Sequence, residues 1–223
     1  MEGRAAPAVH ARRETGRDPG FEVGLSQHLL GAYGHDGLVE LYGRFVAGTG
    51  ELDAVLRRAV WRALAERCGS GLVVEPGVGF RHPETFAIGA NVFLGADAVV
   101  QGHVDGRCRI GSHTWVGPQS FLDGRDLVIA NAVGVGPGVR ILTSAHVELP
   151  ADIPVIATEV RVTRVHIGRG ADVGTGAVIL PGVTVGAGAV VGAASLVNRN
   201  VAPGAVVAGS PARFVRWRRH AKS

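Results

Sequence analysis

His146 is the residue of this chain whose type and surroundings most readily allow chemistry. An imidazole gains and loses a proton near neutral pH, which suits it to proton transfer. His146 ends the segment ILTSAH and lies in the stretch 139–167, which contains no glycine although glycine supplies 34 of the 223 residues. This change of composition makes His146 the first candidate functional residue among the nine histidines.

A second set of chemically competent residues is the basic block 213–222, RFVRWRRHAK, near the C-terminus. Lys and Arg number 23 against 19 Asp and Glu, so the formal net charge is +4, and part of the excess lies in this block. A basic, aromatic segment of this kind can bind a nucleic acid or a polyanionic cofactor, or form the solvated face of a short helix. Composition alone leaves these three interpretations open.

The two cysteines, Cys68 and Cys108, are too few to predict a disulfide scaffold. The first 20 residues carry charges of both signs and lack the apolar segment of a secretory signal. The chain also has no run of about 18 apolar residues, the length that an ordinary transmembrane helix needs. We therefore expect a cytoplasmic protein with reduced thiols and no membrane insertion.

The elements that must position these residues fall into zones along the chain. Residues 1–20 lack apolar periodicity and predict a flexible tail, whereas 21–70 carry apolar residues at helical spacing and predict a helical segment. From about residue 71 the helical period disappears, and we expect a second unit over 71–210. The last residues, 211–223, predict a basic C-terminal helix or tail.

A period of six residues replaces the helical pattern. An aliphatic residue every six, usually followed by glycine, predicts a narrow prism in which three hexads make one coil and small residues make the turns. A glycine-rich β-sandwich would instead alternate with a period of two. The 15 hexad positions, all Ile, Leu or Val, are Ile88, Leu94, Val100, Ile110, Val116, Leu122, Ile129, Val135, Ile141, Ile167, Val173, Ile179, Val185, Val191 and Val197.

The period of six is interrupted three times. Ile88 and Ile110 are 22 residues apart, four more than one 18-residue coil, and Ile110 and Ile129 are 19 apart, one more. The largest interruption separates Ile141 from Ile167 by 26 residues and predicts an inserted loop over 147–166, directly after His146. Long loops on a regular scaffold often carry function, so we expect this loop to cover a cleft or reach a neighbouring subunit.

The repeat over about 78–217, and above all the segment 171–216, ADVGTGAVILPGVTVGAGAVVGAASLVNRNVAPGAVVAGSPARFVR, resembles the hexapeptide-repeat acyltransferases. Within that family it is most similar to the maltose, galactoside and surface-polysaccharide O-acetyltransferases. The resemblance implies a mainly β fold, a left-handed parallel β-helix, here with an N-terminal helical segment and a short C-terminal helix. It also implies acetyl-CoA as co-substrate and a homotrimer with each active site between two subunits.

The resemblance assigns roles to particular residues. ILTSAH is similar to the family's Thr/Ser-x-x-His segment, whose histidine is the general base, so His146 would deprotonate the acceptor as it attacks the acetyl thioester. Asn198 and Arg199 stand where the family commonly has Thr-Lys, and a coenzyme role for the basic block leads us to expect no nucleic-acid binding. The positions that match coenzyme-binding residues are Thr175 and Ala193 along the pantetheine arm, and Asn198, Arg199, Arg213 and Arg216 at the phosphates.

The acceptor side of the predicted site is the stretch WVGPQSFLD, residues 115–123, which aligns with the family segment that supplies an acceptor-binding Asn and Asp. Trp115 would give a sugar ring an apolar stacking face, and Asp123 would accept hydrogen bonds from hydroxyls. Gly117 stands where galactoside-type members carry the Asn, and Gln119 is the residue that can substitute for it.

These expectations combine into an acetyl-CoA-dependent O-acetyltransferase that acts on a hydroxyl of a sugar or glycosylated metabolite by direct transfer. The alternative is N-acylation of an amino sugar, in a nucleotide sugar or an aminoglycoside-type antibiotic. A zinc-dependent lyase of the carbonic anhydrase type and a catalytically silent scaffold are further alternatives. That lyase class uses two histidines five residues apart, whereas His103 and His113 are ten apart, so we expect no metal.

Overall fold

The structure is a computed structural model that describes residues 18–148 and 150–218. Most of the flexible tail predicted over 1–20, and the last part of the predicted C-terminal helix, 219–223, lie outside the described residues. The described part begins with two helices and continues as a parallel β-solenoid of about seven turns.

The two helices, α1 (Gly20–Tyr42) and α2 (Glu51–Leu64), pack together over the first coil of the solenoid. Trp61 is fully buried, and its indole N–H donates to the Tyr42 hydroxyl at 3.1 Å, which in turn donates to the carbonyl of Val78 at 2.7 Å. Burial raises the pKa of Tyr42 to about 12, so the hydroxyl keeps the proton that it donates. None of the described helices is both long and apolar enough to cross a membrane.

Each of the first six coils contributes one short strand to each of three faces of a prism, and the last coil contributes one strand, to the second face. The first two coils contain β1 (Arg67–Cys68), β2 (Val73–Val74), β3 (Gly79–Arg81), β4 (Phe86–Ile88), β5 (Phe93–Leu94) and β6 (Val99–Gln101). The next two contain β7 (Arg107–Ile110), β8 (Trp115–Val116), β9 (Phe121–Asp123), β10 (Asp126–Ile129), β11 (Gly134–Val135) and β12 (Arg140–Ile141). After an inserted hairpin of β13 (Ser144–His146) and β14 (Val160–Val162), the coils resume with β15 (Val165–Ile167), β16 (Asp172–Val173), β17 (Val178–Ile179), β18 (Thr184–Val185), β19 (Val190–Val191), β20 (Leu196–Val197), β21 (Ala205–Ala208) and β22 (Arg213–Trp217).

The coil strands form three parallel sheets, one on each face, and their hexad residues stack in register; β22 alone is added antiparallel, at the end of the second face. The first face has the order β1-β4-β7-β10-β15-β18, the second β2-β5-β8-β11-β16-β19-β21-β22, and the third β20-β17-β12-β9-β6-β3. On the first face Ile88 pairs with Ile110, Ile110 with Ile129 and Ile129 with Ile167, and each of these side chains is at most 2% exposed. The aliphatic hexad therefore fills the interior of the prism, and the predicted solenoid is confirmed.

Two corners of the prism matter for the site. We call the turns that follow the strands of the second face the second corner, and those that follow the third face the third corner. The inserted hairpin leaves the prism at the third corner after β12, and its base is closed where the Thr163 N–H donates to the carbonyl of Thr143 at 2.7 Å. The segment predicted as a loop over 147–166 thus contains a second strand, and its last two residues belong to β15.

The C-terminal segment differs from the prediction. A helix was expected over 211–223, but 213–217 form β22, which pairs antiparallel with β21 on the second face. β21 belongs to the last coil, so without β22 its backbone donors and acceptors would be an open sheet edge. A helix of this length has little stability of its own and would leave that edge uncovered, so the strand is favoured.

Candidate active site

A single hydrogen bond orients the His146 ring. Nδ1 of His146 lies 3.1 Å from the carbonyl oxygen of Thr158 on the opposite side of the inserted hairpin. A carbonyl oxygen can only accept, so Nδ1 is the donor of this hydrogen bond, and in the neutral ring the lone pair is on Nε2. Thr158 is 8% exposed, and its hydroxyl donates to the carbonyl of Val155 at 2.6 Å, which fixes the acceptor.

The base of the hairpin is anchored to a buried carboxylate, that of Asp123. Asp123 is 3% exposed; its Oδ2 accepts from the Thr143 N–H at 3.2 Å and from the Ser144 hydroxyl at 2.7 Å. Its Oδ1 accepts from the Arg125 N–H at 3.3 Å, and the Arg125 guanidinium lies 3.8 Å from Oδ2 and also contacts the Ser144 hydroxyl. Asp123, predicted as an acceptor-binding residue, thus faces the protein's own donors and holds the strand that carries His146.

A cleft of about 650 Å³ lies beside the hairpin along the third corner. One wall is the apolar side of β14, Val160 and Val162, and the rest comes from three successive coils. The residues that line it are His103, Asp105, Gly106, Arg107, Arg125, Asp126, Val160, Val162 and Arg164.

His146 lies on the same face of the hairpin as the apolar wall of this cleft. His146 pairs with Val160, and Ser144 pairs with Val162, in the antiparallel register of β13 and β14. Directly opposed residues of an antiparallel pair project to the same face, with Cβ atoms about 5 Å apart. The His146 side chain therefore projects from the face of the hairpin that carries Val160 and Val162; it is exposed and is not itself among the residues that line the cleft.

The other predicted acceptor residues lie elsewhere on the prism. Trp115 is on the second face, where its ring stacks on Phe93 with centroids 5.9 Å apart and an interplanar angle of 13°. Gln119 is exposed at the second corner, where its φ is 58° and its N–H donates to the carbonyl of Ala96 at 2.8 Å. The structure does not bring these two side chains together with His146 in one chain.

Thr175 and Ala193, predicted to line the pantetheine arm, occupy the second corner on adjacent coils. Both are exposed, and the N–H of Ala194 donates to the carbonyl of Thr175 at 2.8 Å. The coils meet closely here, because a Cβ on Gly174 would lie 2.6 Å from the backbone nitrogen of Ala193. The result is a ridge of small, exposed residues at which two coils approach each other closely.

The predicted phosphate-binding residues gather near the C-terminal end of the solenoid. Asn198 and Arg199 are exposed at the third corner, and both line a cavity of about 290 Å³ together with Arg213. Arg216 lies on β22, and its guanidinium donates to the carbonyl of Trp217 at 3.1 Å. Among the described residues none of these arginines forms an ion pair with a carboxylate, so their charges are available to an anion.

Five residues of the site are not predicted by the sequence: Ser144, Thr158, Arg125, Arg107 and Arg164. None belongs to the hexad pattern, and the Ser144–Asp123 contact spans 21 residues. The only local signal is that Asp123 and Arg125 are two residues apart and directly precede the coil β10–β12, after which the hairpin is inserted. Within 18–148 and 150–218 no group of three or more His, Cys, Asp or Glu side chains could hold a metal ion.

Known proteins are similar to this chain in both sequence and fold, although no protein-family model matches it. Nodulation protein L of Rhizobium meliloti (strain 1021) is 40% identical over 141 residues, which are 63% of this chain and 67% of that protein. The chain belongs to the hexapeptide-repeat acyltransferase family. The resemblance carried by its repeat and by the segment 171–216 is thereby confirmed.

Two solved structures place this family member among its relatives. A hexapeptide-repeat acetyltransferase of Vibrio cholerae O1 biovar eltor, complexed with acetyl-CoA, is 27% identical with a TM-score of 0.60, covering 83% of this chain and 89% of that one. The N-acyltransferase AntD of Bacillus cereus, in complex with dTDP and 3-hydroxybutyryl-CoA, is 18% identical with a TM-score of 0.64, covering 73% of this chain and 88% of that one. At this identity the second likeness concerns the fold alone.

Proposed function

We propose that this acyltransferase uses acetyl-CoA to acetylate a hydroxyl of a sugar or glycosylated metabolite, with His146 as the general base. The observation that carries the proposal is the Nδ1–Thr158 hydrogen bond, which in the neutral ring leaves the lone pair on Nε2, together with the strand register that puts His146 on the hairpin face whose Val160 and Val162 line the 650 Å³ cleft. An imidazole in this tautomer can accept a proton at neutral pH.

The chemistry follows from that geometry. Acetyl-CoA supplies an activated acyl carbon. Nε2 of His146 takes the proton of the acceptor hydroxyl as the hydroxyl oxygen bonds to that carbon, and the imidazolium then returns the proton to the departing sulfur. The carbonyl of Thr158 stabilises the imidazolium, because Nδ1 keeps donating to it throughout the step.

The residues at two places on the prism fit the coenzyme. The ridge formed by Thr175 and Ala193 offers exposed backbone with no bulky side chain, as an extended pantetheine arm requires. Arg199 and Arg213 present guanidinium groups at one cavity, and Arg216 lies next along β22, where phosphates can be held by charge-assisted hydrogen bonds.

The proposal includes a homotrimer with sites between subunits. His146 is at the third corner, whereas Thr175 and Ala193 are at the second. One face of the prism separates these corners, and a hexad of six fully extended residues would make that face about 20 Å wide at most. A second copy that presents its second corner to the hairpin would bring the two halves of the site together. A cytoplasmic location, where acetyl-CoA is available, belongs to the same proposal.

Release of free thiol from acetyl-CoA in the presence of a panel of sugars and amino sugars tests the proposed function. We expect release that depends on a sugar hydroxyl and a product whose acetyl group is removed by mild alkaline hydroxylamine, as an ester is. A hydroxylamine-resistant product would assign N-acylation of an amino sugar instead. No thiol release with any acceptor of the panel would contradict the proposal and favour a silent scaffold.

A further inference from the structure

The cleft beside His146 has a strongly polar floor opposite its apolar wall. Three guanidinium groups line it, those of Arg107, Arg125 and Arg164, against the two carboxylates of Asp105 and Asp126. With the Asp123 carboxylate, which the Arg125 guanidinium contacts, the formal charges around the cleft balance, so an anion would be bound not by an excess of charge but by guanidinium N–H groups that no carboxylate contacts.

The three arginines differ in how far their charge is already compensated. Arg125 is committed to the Asp123–Ser144 anchor of the hairpin and is 27% exposed. Arg164 uses Nε to bond Asp126 at 2.9 Å, which leaves the two terminal nitrogens of a 58% exposed side chain available. Arg107 forms no ion pair with any of the described residues, and it is exposed at the start of β7.

We infer that the acceptor carries an anionic group, a phosphate or a carboxylate, which Arg107 and Arg164 bind while its hydroxyl reaches Nε2 of His146. This rests on the proposed function, and it narrows the acceptor from any sugar to a sugar phosphate or sugar acid. A planar guanidinium offers paired donors that match the oxygens of either group. Val160 and Val162 then cover the apolar side of the sugar ring.

The chain offers a matched set of variants for the test. Arg107→Gln and Arg164→Gln each remove a charge from the cleft and keep a polar side chain of similar reach. Arg44→Gln makes the same change in the turn after α1, where the Arg44 side chain is 71% exposed and outside the cleft. Circular dichroism and thermal melting establish that each variant is folded.

The kinetic arm compares one sugar as the free sugar, its phosphate ester and its uronic acid. We expect kcat/KM to be at least about tenfold higher for one of the two anionic forms than for the neutral form, which identifies the group. Arg107→Gln and Arg164→Gln should each lower that value about tenfold to a hundredfold. Arg44→Gln should leave it unchanged, and the KM for acetyl-CoA should stay within twofold in all three variants.

Equal kcat/KM for the neutral and anionic forms would overturn the inference, and so would a rise in the KM for acetyl-CoA as the main effect of the cleft variants. The latter would assign the arginines to the coenzyme. A binding experiment distinguishes failure of the inference about an anionic acceptor from failure of the proposed acetyltransferase function. Calorimetry measures binding of the sugar phosphate and the sugar acid to the His146→Ala protein. This binding should be present, should weaken as salt is added and should be weaker when Arg107→Gln is also introduced, even if no acetyl transfer is ever found.

Discussion

At the scale of single residues, the tautomer of His146 decides what the site can do. The carbonyl of Thr158 accepts from Nδ1 at 3.1 Å, so the neutral ring presents Nε2 as an acceptor rather than as a donor. Both partners belong to the same hairpin, and the hairpin is in turn tied to the buried Asp123 through Ser144. The position of the base therefore depends on a chain of hydrogen bonds that begins inside the prism.

The Ser144 hydroxyl is predicted to be a positioning group. Ser144→Ala removes one donor from the Asp123 carboxylate and a partner of Arg125, so the strand that carries His146 loses its fixed orientation. We expect kcat to fall about tenfold, equivalent to about 1.4 kcal/mol, while the KM for acetyl-CoA changes less than about twofold. Steady-state kinetics measure both.

Ser144→Thr is the control for that prediction, because it restores the hydroxyl. It should recover most of the lost kcat. An unchanged kcat in Ser144→Ala, or a Ser144→Thr variant as slow as Ser144→Ala, would contradict the positioning role.

Whether a site residue can be predicted from the sequence depends on how far apart in the chain its interaction partners are. His146 was identifiable because its motif and its break in the glycine pattern are local in sequence. The anchoring position of Asp123 was not, because it depends on a contact with Ser144 that exists only once two successive coils have stacked. Arg107 and Arg164 become neighbours of one cleft only through the stacking of three turns at the third corner.

At the scale of elements, the helices are fixed to the first coil by a buried arginine. Arg57 on α2 is 2% exposed; its Nε donates to the carbonyl of Val74 at 3.0 Å, and its NH1 donates to the carbonyls of Phe45 and Gly48. One side chain thus satisfies three backbone acceptors in the linker between the helices and in β2. Removing it would take the side-chain donor from the carbonyls of Val74 and Gly48, whereas the carbonyl of Phe45 would keep the Gly48 N–H at 3.2 Å.

Arg57→Met should lower the free energy of unfolding by about 2 kcal/mol or more, since two backbone acceptors lose their donor and each costs about 1–3 kcal/mol. Chemical denaturation followed by circular dichroism measures the change. Arg44→Met is the matched control, because Arg44 is 71% exposed and its pair with Glu40 at 3.8 Å is worth at most about 0.5 kcal/mol. A similar loss in both variants would contradict the role given to Arg57.

The repeating elements were predictable because the hexad places one aliphatic residue per strand inside the prism, and that pattern is visible without any distant contact. The hairpin and β22 were not. The insertion has no periodicity that separates strand from loop, and the basic segment after residue 211 becomes a strand because the last coil leaves an edge that it can pair with. Both depend on neighbours that the local pattern does not contain.

At the scale of the whole molecule, the candidate site is divided between two corners of one prism. The third corner holds His146 and the cleft, and the second corner holds the ridge of Thr175 and Ala193. The proposed trimer joins a third corner of one copy to a second corner of another. This division can be tested by giving each copy only one intact half.

Two variants that are inactive alone should regain activity when mixed. His146→Ala removes the base, and Ala193→Trp obstructs the ridge, so neither forms a complete site by itself. Co-expressed in equal amounts, they should yield about one quarter of the wild-type rate, since about one in four interfaces of a mixed cyclic trimer combines two intact halves. Activity no higher than that of the separate variants would place both halves in one subunit.

The rate of thiol release by His146→Ala is the most direct measurement of the proposed mechanism. With acetyl-CoA and the best acceptor of the panel both saturating, we predict that kcat falls by about 10²–10⁴-fold, as expected for the loss of a positioned general base, with an unchanged circular dichroism spectrum. His28→Ala, an exposed histidine on α1, is the control and should keep the wild-type rate. A folded His146→Ala protein that retains kcat within about threefold of the wild type would contradict the assignment of His146 as the base.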